Sequence, residues 1–455
     1  MKVLLISTYE LGHQPFGLAS PAAWLQAAGA SVACLDLSVQ VIDTKLVREA
    51  ELIAFYLPMH TATRLAVKVL GKIKAENPHA HVCCYGLYAS MNAAYLQSLG
   101  AETILGGEFE EGLVVLAKQL TNQNAPAELT QSNGSISLGK QQFLVPERTG
   151  LPPLENYARV VFGIEHRTVG YTEASRGCKH LCRHCPIVPI YQGQFRIVQP
   201  EIVLADIRGQ VDAGARHITF GDPDFFNGVG HALRIVQGLH REYPYLSYDV
   251  TIKIEHLLRH ARQLRILKET GCLFVTSAVE SVDDEVLELL GKDHTRADFI
   301  RAVELCRENQ LALSPTFVTF TPWTTWNSYR DLLSLLVDLD LVDHVAPIQL
   351  AIRLLVFAGS KLLELPAVRR QLQAFDESAL SYRWSHADPS LDALCSRIRL
   401  YVKTAEANQQ ARRETFAAIW QMVHEEPSPS DERFLQMSPA PCRASIPYLN
   451  EPWYC

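Results

Sequence analysis

Three cysteines stand within eight residues, in the segment Gly177-Cys178-Lys179-His180-Leu181-Cys182-Arg183-His184-Cys185-Pro186. Cysteine thiolates bind iron–sulfur clusters, and a cubane held by only three of them leaves its fourth iron open to an exogenous chelator. An open coordination position is what catalysis requires. Zinc is the alternative for the same thiols, but it takes four ligands and no second C-x2-C or H-x3-H group lies nearby, so His180 or His184 would have to complete the set. A loop holding Gly, Lys, Arg and two His does not read as core, which weighs against chance clustering of buried thiols. The chain has eleven cysteines, an odd number scattered over its whole length. In a reducing compartment such cysteines are more often buried apolar residues, metal ligands or reactive thiols than disulfides.

The elements that position this loop are legible on both sides of it. Up to about residue 120, short apolar runs at Val3 to Ile6, Val32 to Leu37, Leu52 to Leu57, Val82 to Tyr85 and Thr103 to Leu105 have strand length. Helices separate them; one shows Ala62, Leu65, Ala66, Val69, Leu70 and Ile73 on a single face. This alternation predicts a parallel, doubly wound sheet over residues 1–120, whose ligand edge is the carboxyl ends of its strands. Residues 121–150 are rich in Asn, Gln, Ser, Gly and Pro and read as a linker.

From Val169 the alternation resumes. Strands are predicted at Val169 to Ala174, His217 to Phe220, Tyr248 to Ile254, Cys272 to Ala278, Leu311 to Thr319 and Val345 to Leu350. Thr295 caps one intervening helix, with Phe299, Ala302, Val303 and Cys306 on its buried face. Six βα units fall short of the eight that close a barrel, so residues 151–360 are expected to form a partial, open one. Residues 361–455 are a mostly helical or irregular extension, in which Phe416, Ile419, Trp420 and Val423 mark an amphipathic helix. The fold class is α/β.

Hydrophobic residues at 48% and charged ones at 20% are ordinary for globular protein. A net charge of −7 argues against a protein built mainly to neutralise nucleic-acid phosphates. The opening residues have too short an apolar run for a signal peptide, and no stretch reaches the ~18 to 20 apolar residues that span a bilayer. A cytoplasmic protein with neither nucleic-acid nor membrane partner is expected.

C-x3-C-x2-C on the loop after the first strand of the second domain resembles the signature of the radical S-adenosylmethionine (SAM) superfamily, with His184 in the slot that usually holds an aromatic residue. The resemblance implies a [4Fe-4S] cluster on Cys178, Cys182 and Cys185, with SAM chelating the open iron, reductive cleavage of its S–C5′ bond, and an electron donor such as flavodoxin or ferredoxin. It further implies SAM-binding roles for Phe220, Gly221 and Asp222, where the superfamily has a Gly-Gly-Glu-like turn, for Glu280 and Ser281 at the fourth strand's Glu-Ser ending, and for Arg353 beyond the last strand. The plain readings are a turn for Asp222, a strand-end carboxylate for Glu280 and a surface ion pair for Arg353.

A doubly wound domain ahead of such a barrel resembles the cobalamin-binding class of the superfamily, with Gly106-Gly107-Glu108-Phe109-Glu110 similar to its Gly-Glu-x-Glu ending. What this implies is a corrin lying across the strand ends near Phe16, Thr61, Gly86, Gly107 and Glu108. His13, in Glu10-Leu-Gly-His13-Gln-Pro-Phe-Gly17, is the candidate cobalt ligand against the plainer reading of a solvated loop histidine. The end of the chain, from Cys442 to Glu451-Pro452-Trp453-Tyr454-Cys455, resembles radical enzymes named for a Cys-Sec-Ala-Glu-Pro or Cys-Cys-Ala-Glu-Pro tail. This implies a selenocysteine codon after Cys455 and catalytic roles for Cys442 and Cys455.

Three functions remain open on the sequence. One is a cobalamin-dependent radical enzyme that transfers a methyl or alkyl group to a small molecule. The second is a cobalamin-free radical enzyme whose tail thiols hold a soft or metalloid substrate, and the third is a non-enzymatic iron–sulfur redox sensor.

Overall fold

The computed structural model describes residues 1–121, 135–424 and 443–451. Six strands form the first sheet: β1 Lys2–Ser7, β2 Ser31–Asp36, β3 Leu52–Tyr56, β4 His81–Tyr85, β5 Thr103–Gly107 and β6 Ser135–Ser137. They pair in parallel in the order β2-β1-β3-β4-β5-β6, so the strand order reverses between β1 and β3. Helices cover both faces, which is why β3, the central strand, is an unbroken apolar run buried at every residue. The helix His60–Glu76 turns Ala62, Ala66, Leu70 and Ile73 onto the sheet, as its 3.6-residue period requires. Each fully buried Leu or Ile there contributes about 1.5–3 kcal/mol. Strand β6 falls inside the stretch expected to be a linker, and Phe143 of that stretch lies in the core of the second domain.

The second sheet contains β7 Arg159–Phe162, β8 Glu165–Thr172, β11 His217–Phe220, β12 Ser247–Thr251, β13 Cys272–Glu280, β14 Ala312–Phe317 and β17 Tyr448–Leu449. Strands β8, β11, β12, β13 and β14 are parallel neighbours and make the open half-barrel. Strand β7 pairs antiparallel with β8 and β17 antiparallel with β7, so the described end of the chain covers that edge. Between β8 and β11 lies a two-stranded flap of β9 Ser175–Gly177 and β10 Phe195–Ile197, with the cysteine loop between its strands. Strands β15 Leu372–Asp376 and β16 Ser381–Trp384 form a separate hairpin.

Two expectations change. The first barrel strand begins earlier than Val169, because residues 159–172 fold as a hairpin turning at Gly163, whose φ of +58° favours glycine. The sixth strand is absent: Pro347 has no N–H to give to a ladder, Pro347–Leu350 forms a 3-10 turn, and the Phe320–Arg353 bridge stands alone in its place. The Thr295 cap is a reciprocal capping box with Asp298, and Phe299, Ala302, Val303 and Cys306 are buried as expected. In the C-terminal extension, Arg412–Val423 buries Phe416, Ile419, Trp420 and Val423. The 19-residue helix Pro389–Ala407 precedes it.

The two domains meet through buried polar contacts. Arg148 donates to Asp206 at 2.7 and 2.9 Å, to Gln14 at 2.8 Å and to the Tyr171 carbonyl at 2.7 Å. Tyr157 donates to Asp36 at 2.9 Å. Arg176, on β9 next to the cysteine loop, pairs with Glu108 and Glu110 of the first domain and with Glu173.

Candidate active site

The cysteine loop starts at Gly177, whose φ is +74° and where a Cβ would lie 2.4 Å from the Tyr191 ring and 2.6 Å from the Gln194 carbonyl; only glycine fits. The Cys185 amide donates to the Cys182 carbonyl at 3.2 Å, and the Arg183 amide to the Leu290 carbonyl at 2.8 Å. The Arg183 guanidinium also caps the end of helix Asp284–Leu290 through the Glu288 and Leu289 carbonyls. Asp222 holds the base of the flap, accepting from Ser175 Oγ at 2.5 Å and from the Ala174 amide at 2.8 Å.

Cys182 is buried and Cys178 and Cys185 are half-buried. Burial first, then the neighbouring thiols, pushes Cys185 up to about 12. Burial also raises Cys178, helped by Asp224 and Cys182. Such thiols become ligands when a metal ion displaces the proton. Among the described residues, the sets of three His, Cys, Asp or Glu with ligand atoms all within 4.8 Å of one another do not include the three cysteines. Four ligands ~2.3 Å from one zinc ion would bring sulfurs within ~4 Å of each other. His184, a candidate fourth zinc ligand, instead has Nε2 3.1 Å from Glu280 Oε1.

Glu280 ends β13 at φ +70° and is buried. It accepts from Lys292 Nζ at 3.4 Å. Burial opposes its charge, but Lys292 and then His184 outweigh this and hold the carboxyl at about 2. Burial lowers Lys292, while Glu280, Cys182 and Cys185 raise it, and the net shift is upward. The site therefore sets a buried ammonium beside two of the thiols, with a carboxylate and an imidazole next to it. Lys292 was missing from the sequence reading; the one signal for it was the left-handed Gly291 just before it, φ +67°.

The remaining candidates are dispersed. Phe220 is turned away from the half-barrel interior, packing at 4.9 Å on Phe225 and 5.7 Å on Tyr248 in the helix-side core. The Gly221 amide donates to the Thr172 carbonyl, and a Cβ on Gly221 would strike the Tyr171 hydroxyl. Asp222 is committed to Ser175 and Ala174, which makes it a brace of the flap. Ser281 accepts from the Asp283 amide and lines a small cavity with Glu280, Thr321 and Thr324. Arg353 is engaged by Asp392 at 2.5 Å, the Trp384 carbonyl at 2.7 Å and the Trp384 ring. Cys442 and Cys455, with the proposed extension beyond them, lie outside the described residues.

The first domain's strand ends test whether a corrin fits. Phe16 is 4% exposed, between the Arg148 and Arg176 guanidinium groups at 5.8 and 5.6 Å and near Tyr171. A Cβ on Gly17 would lie 2.1 Å from the Tyr56 ring, on Gly106 2.1 Å from Ser90 Oγ and on Gly107 2.1 Å from the Ser137 carbonyl. The Leu57 carbonyl faces Gly86 in the same way at 3.0 Å. Tyr56, Tyr85 and Phe109 fill the adjoining space, with Tyr85 donating to the Gly17 carbonyl. Glu108 accepts from Arg176 and from Tyr191. Thr61 is the second residue of helix His60–Glu76 and is half-buried. Phe16, Gly86, Gly107 and Glu108, the positions expected to meet cobalamin, are each engaged or closely approached by this chain's own atoms, which weighs against a corrin there.

His13 is buried rather than solvated, with its ring 4.8 Å from Tyr171. Burial, against a smaller pull from Asp249, lowers it to about 4. Between about pH 6.5 and 4 the unfolded chain protonates here and the folded chain does not, so stability is lost as pH falls, by up to about 3 kcal/mol. The expected result is a thermal midpoint that drops on acidification through this window in the wild type and drops less in His13→Gln. Equal slopes in the two proteins would contradict the buried neutral imidazole.

Residues 172–336 match the Radical SAM superfamily. The chain is 24% identical over 200 residues to the tRNA-2-methylthio-N(6)-dimethylallyladenosine synthase of Desulfitobacterium hafniense (strain Y51), covering 40% of this chain and 43% of that protein. It is 21% identical over 250 residues to the threonylcarbamoyladenosine tRNA methylthiotransferase MtaB of Thermotoga maritima, covering 53% and 52%. The chain thus spans about half the length of the curated relatives it matches. Among solved structures, the cobalamin-dependent SAM radical enzyme OxsB with aqua-cobalamin and SAM bound aligns at TM-score 0.71 and 14% identity, over 95% of this chain and 70% of that one. The radical SAM methyltransferase TsrM from Kitasatospora setae, with cobalamin and a [4Fe-4S] cluster bound, aligns at TM-score 0.59 and 19% identity, over 74% and 70%. Among the described residues no helix is long and apolar enough to cross a membrane. With the cysteine loop, Glu280 and Lys292 all inside the matched stretch, the chain is an enzyme with a Radical SAM superfamily domain, in a fold shared with cobalamin-dependent radical SAM enzymes.

Proposed function

We propose that this protein binds a [4Fe-4S] cluster on Cys178, Cys182 and Cys185 and cleaves SAM reductively to act on a small molecule, without using its first domain to hold cobalamin. The observation that carries this reading is the placement of three thiols beside the buried Lys292–Glu280–His184 group. When bound, the cluster supplies one electron to SAM, and the S–C5′ bond breaks. Lys292 offers the positive charge that would meet the SAM carboxylate, Glu280 the acceptor for its ammonium or ribose hydroxyls, and His184 orients Glu280. Asp222 and Arg183 hold the loop in register with the strand ends. The first domain braces the flap through Arg176 and excludes water from its outer face. An electron donor such as flavodoxin or ferredoxin would be needed.

Adding SAM to the reduced, reconstituted protein is expected to change the electron paramagnetic resonance spectrum of the cluster, with a weaker change in Glu280→Gln at equal iron content. A spectrum indifferent to SAM would remove the proposal. The second reading, cobalamin-dependent alkyl transfer, is favoured by the alignment of OxsB over 95% of the chain. Equilibrium dialysis decides between them: the engaged strand ends predict no stoichiometric uptake of hydroxocobalamin, and one bound equivalent would restore the second reading.

A further inference from the structure

His180 lies between Cys178 and Cys182 in sequence, yet its ring is turned to a different set of groups. Its Nε2 is 3.5 Å from Asp224 Oδ2, and the same oxygen is 2.6 Å from His256 Nδ1. The ring centroids of the two histidines are 4.8 Å apart, and the three ligand atoms all lie within 4.8 Å of one another. They come from three separate elements: the cysteine loop, the turn after β11 and the helix Ile254–Arg259 after β12.

The group is built and buried. His256 is 0% exposed, Asp224 1%, and the His180 side chain 10%. Asp224 Oδ1 accepts from the amides of Phe226 at 3.2 Å and Lys253 at 3.4 Å, which fixes the carboxylate. Asp224 Oδ2 is in ion-pair contact with both imidazoles, though neither approach has good hydrogen-bond geometry, and His256 Nε2 has no hydrogen-bond partner among the described residues. A buried polar atom left without a good hydrogen bond costs about 1–3 kcal/mol, and a cation at the centre of the three would satisfy several at once.

We propose that His180, Asp224 and His256 bind a divalent first-row transition-metal ion, distinct from the iron–sulfur cluster. Two imidazoles and one carboxylate, with further positions open, suit zinc or ferrous iron and give no sulfur for a soft ion. A second set around the same ring, His180, Glu255 and Asp293, is unsuited: Asp293 is exposed and the Lys253 ammonium sits inside it, 3.1 Å from His180 Nδ1 and 3.5 Å from Asp293 Oδ2. In this structure the Lys253 ammonium donates to His180 Nδ1, so ligation through Nε2 requires the ring proton on Nδ1, where Glu255 Oε2, 3.6 Å away, would accept it in place of Lys253, which Asp293 retains. The ion would tie the turn between Cys178 and Cys182 to the ends of β11 and β12.

The test uses the full chain, reconstituted anaerobically with iron and sulfide, stripped of loose metal with a mild chelator and loaded with zinc. The expected result is about one zinc per chain beside about four iron, with zinc-edge X-ray absorption showing nitrogen and oxygen neighbours, imidazole scattering and no sulfur. His256→Gln and Asp224→Asn should each lose at least about nine-tenths of the zinc at unchanged iron. No retained zinc, a zinc–sulfur shell, or full zinc in both variants would each overturn the site. Should a variant also lose iron, the absorption spectrum of the wild type decides by itself.

Discussion

Alanine in place of Cys178, Cys182 or Cys185 is expected to reduce bound iron from about four per chain to less than about one, and 5′-deoxyadenosine formation to background. The three thiols share one loop, so none can be replaced by a neighbour, and His184 is engaged by Glu280. The control is built into the same barrel. Cys272 and Cys306 are fully buried in its core, away from the loop, and alanine there should cost only packing, about 1 kcal/mol, with iron and activity retained. Iron retention by all three loop variants would show that the loop is not the cluster site.

Arg176→Met is expected to give the largest loss of stability, about 3–5 kcal/mol. Its guanidinium, 6% exposed, reaches Glu110 at 2.7 Å, Glu173 at 2.6 Å and Glu108 at 3.2 Å, over the rings of Phe143 and Phe109. Burial raises Glu108 and Glu173, and for Glu110 the opposing pull of Arg176 wins, leaving it lowered. Removing the cation strands these carboxylates in the interface between the domains. In the variant Glu110 would join Glu108 and Glu173 above the unfolded value and those two would rise further, so the folded state binds protons more tightly and regains stability as pH falls. The gap between wild type and variant should therefore narrow on going from about pH 7.5 to 5.5, measured by denaturant unfolding. A gap independent of pH would mean that lost packing, rather than unpaired charge, is the cause.

The parts of this molecule legible in its sequence are those with a short-range signature. Cysteine spacing is local, and the strands of the first domain and the helix His60–Glu76 announce themselves through apolar runs and one-faced periodicity. Glu280 was also within reach, because it ends a long apolar strand. The side chain of Phe220 packs with the helices, as the alternation His217-Ile218-Thr219-Phe220 implies once Thr219 bonds to Asp249 on the other face. Val345 to Leu350 looked like a strand because apolar content outweighed Pro347. Lys292 had only the glycine before it as a local sign, and the His180–Asp224–His256 group had none. A charged loop residue reads as solvated, and its burial exists only once distant loops converge. The glycines at 86 and 107, where the resemblance places a cofactor, stand close to this chain's own backbone at the Leu57 and Ser137 carbonyls.

The central claim is that the loop at Cys178 to Cys185 makes this protein a SAM-cleaving enzyme, and the most direct measurement is 5′-deoxyadenosine by mass spectrometry. The chain is purified and reconstituted anaerobically, then incubated with SAM and dithionite. The account predicts 5′-deoxyadenosine accumulating with time in proportion to bound iron, and none from the Cys185→Ala variant. Protein made anaerobically that carries zinc on this loop instead of iron, or an iron-loaded protein that leaves SAM intact, would contradict it.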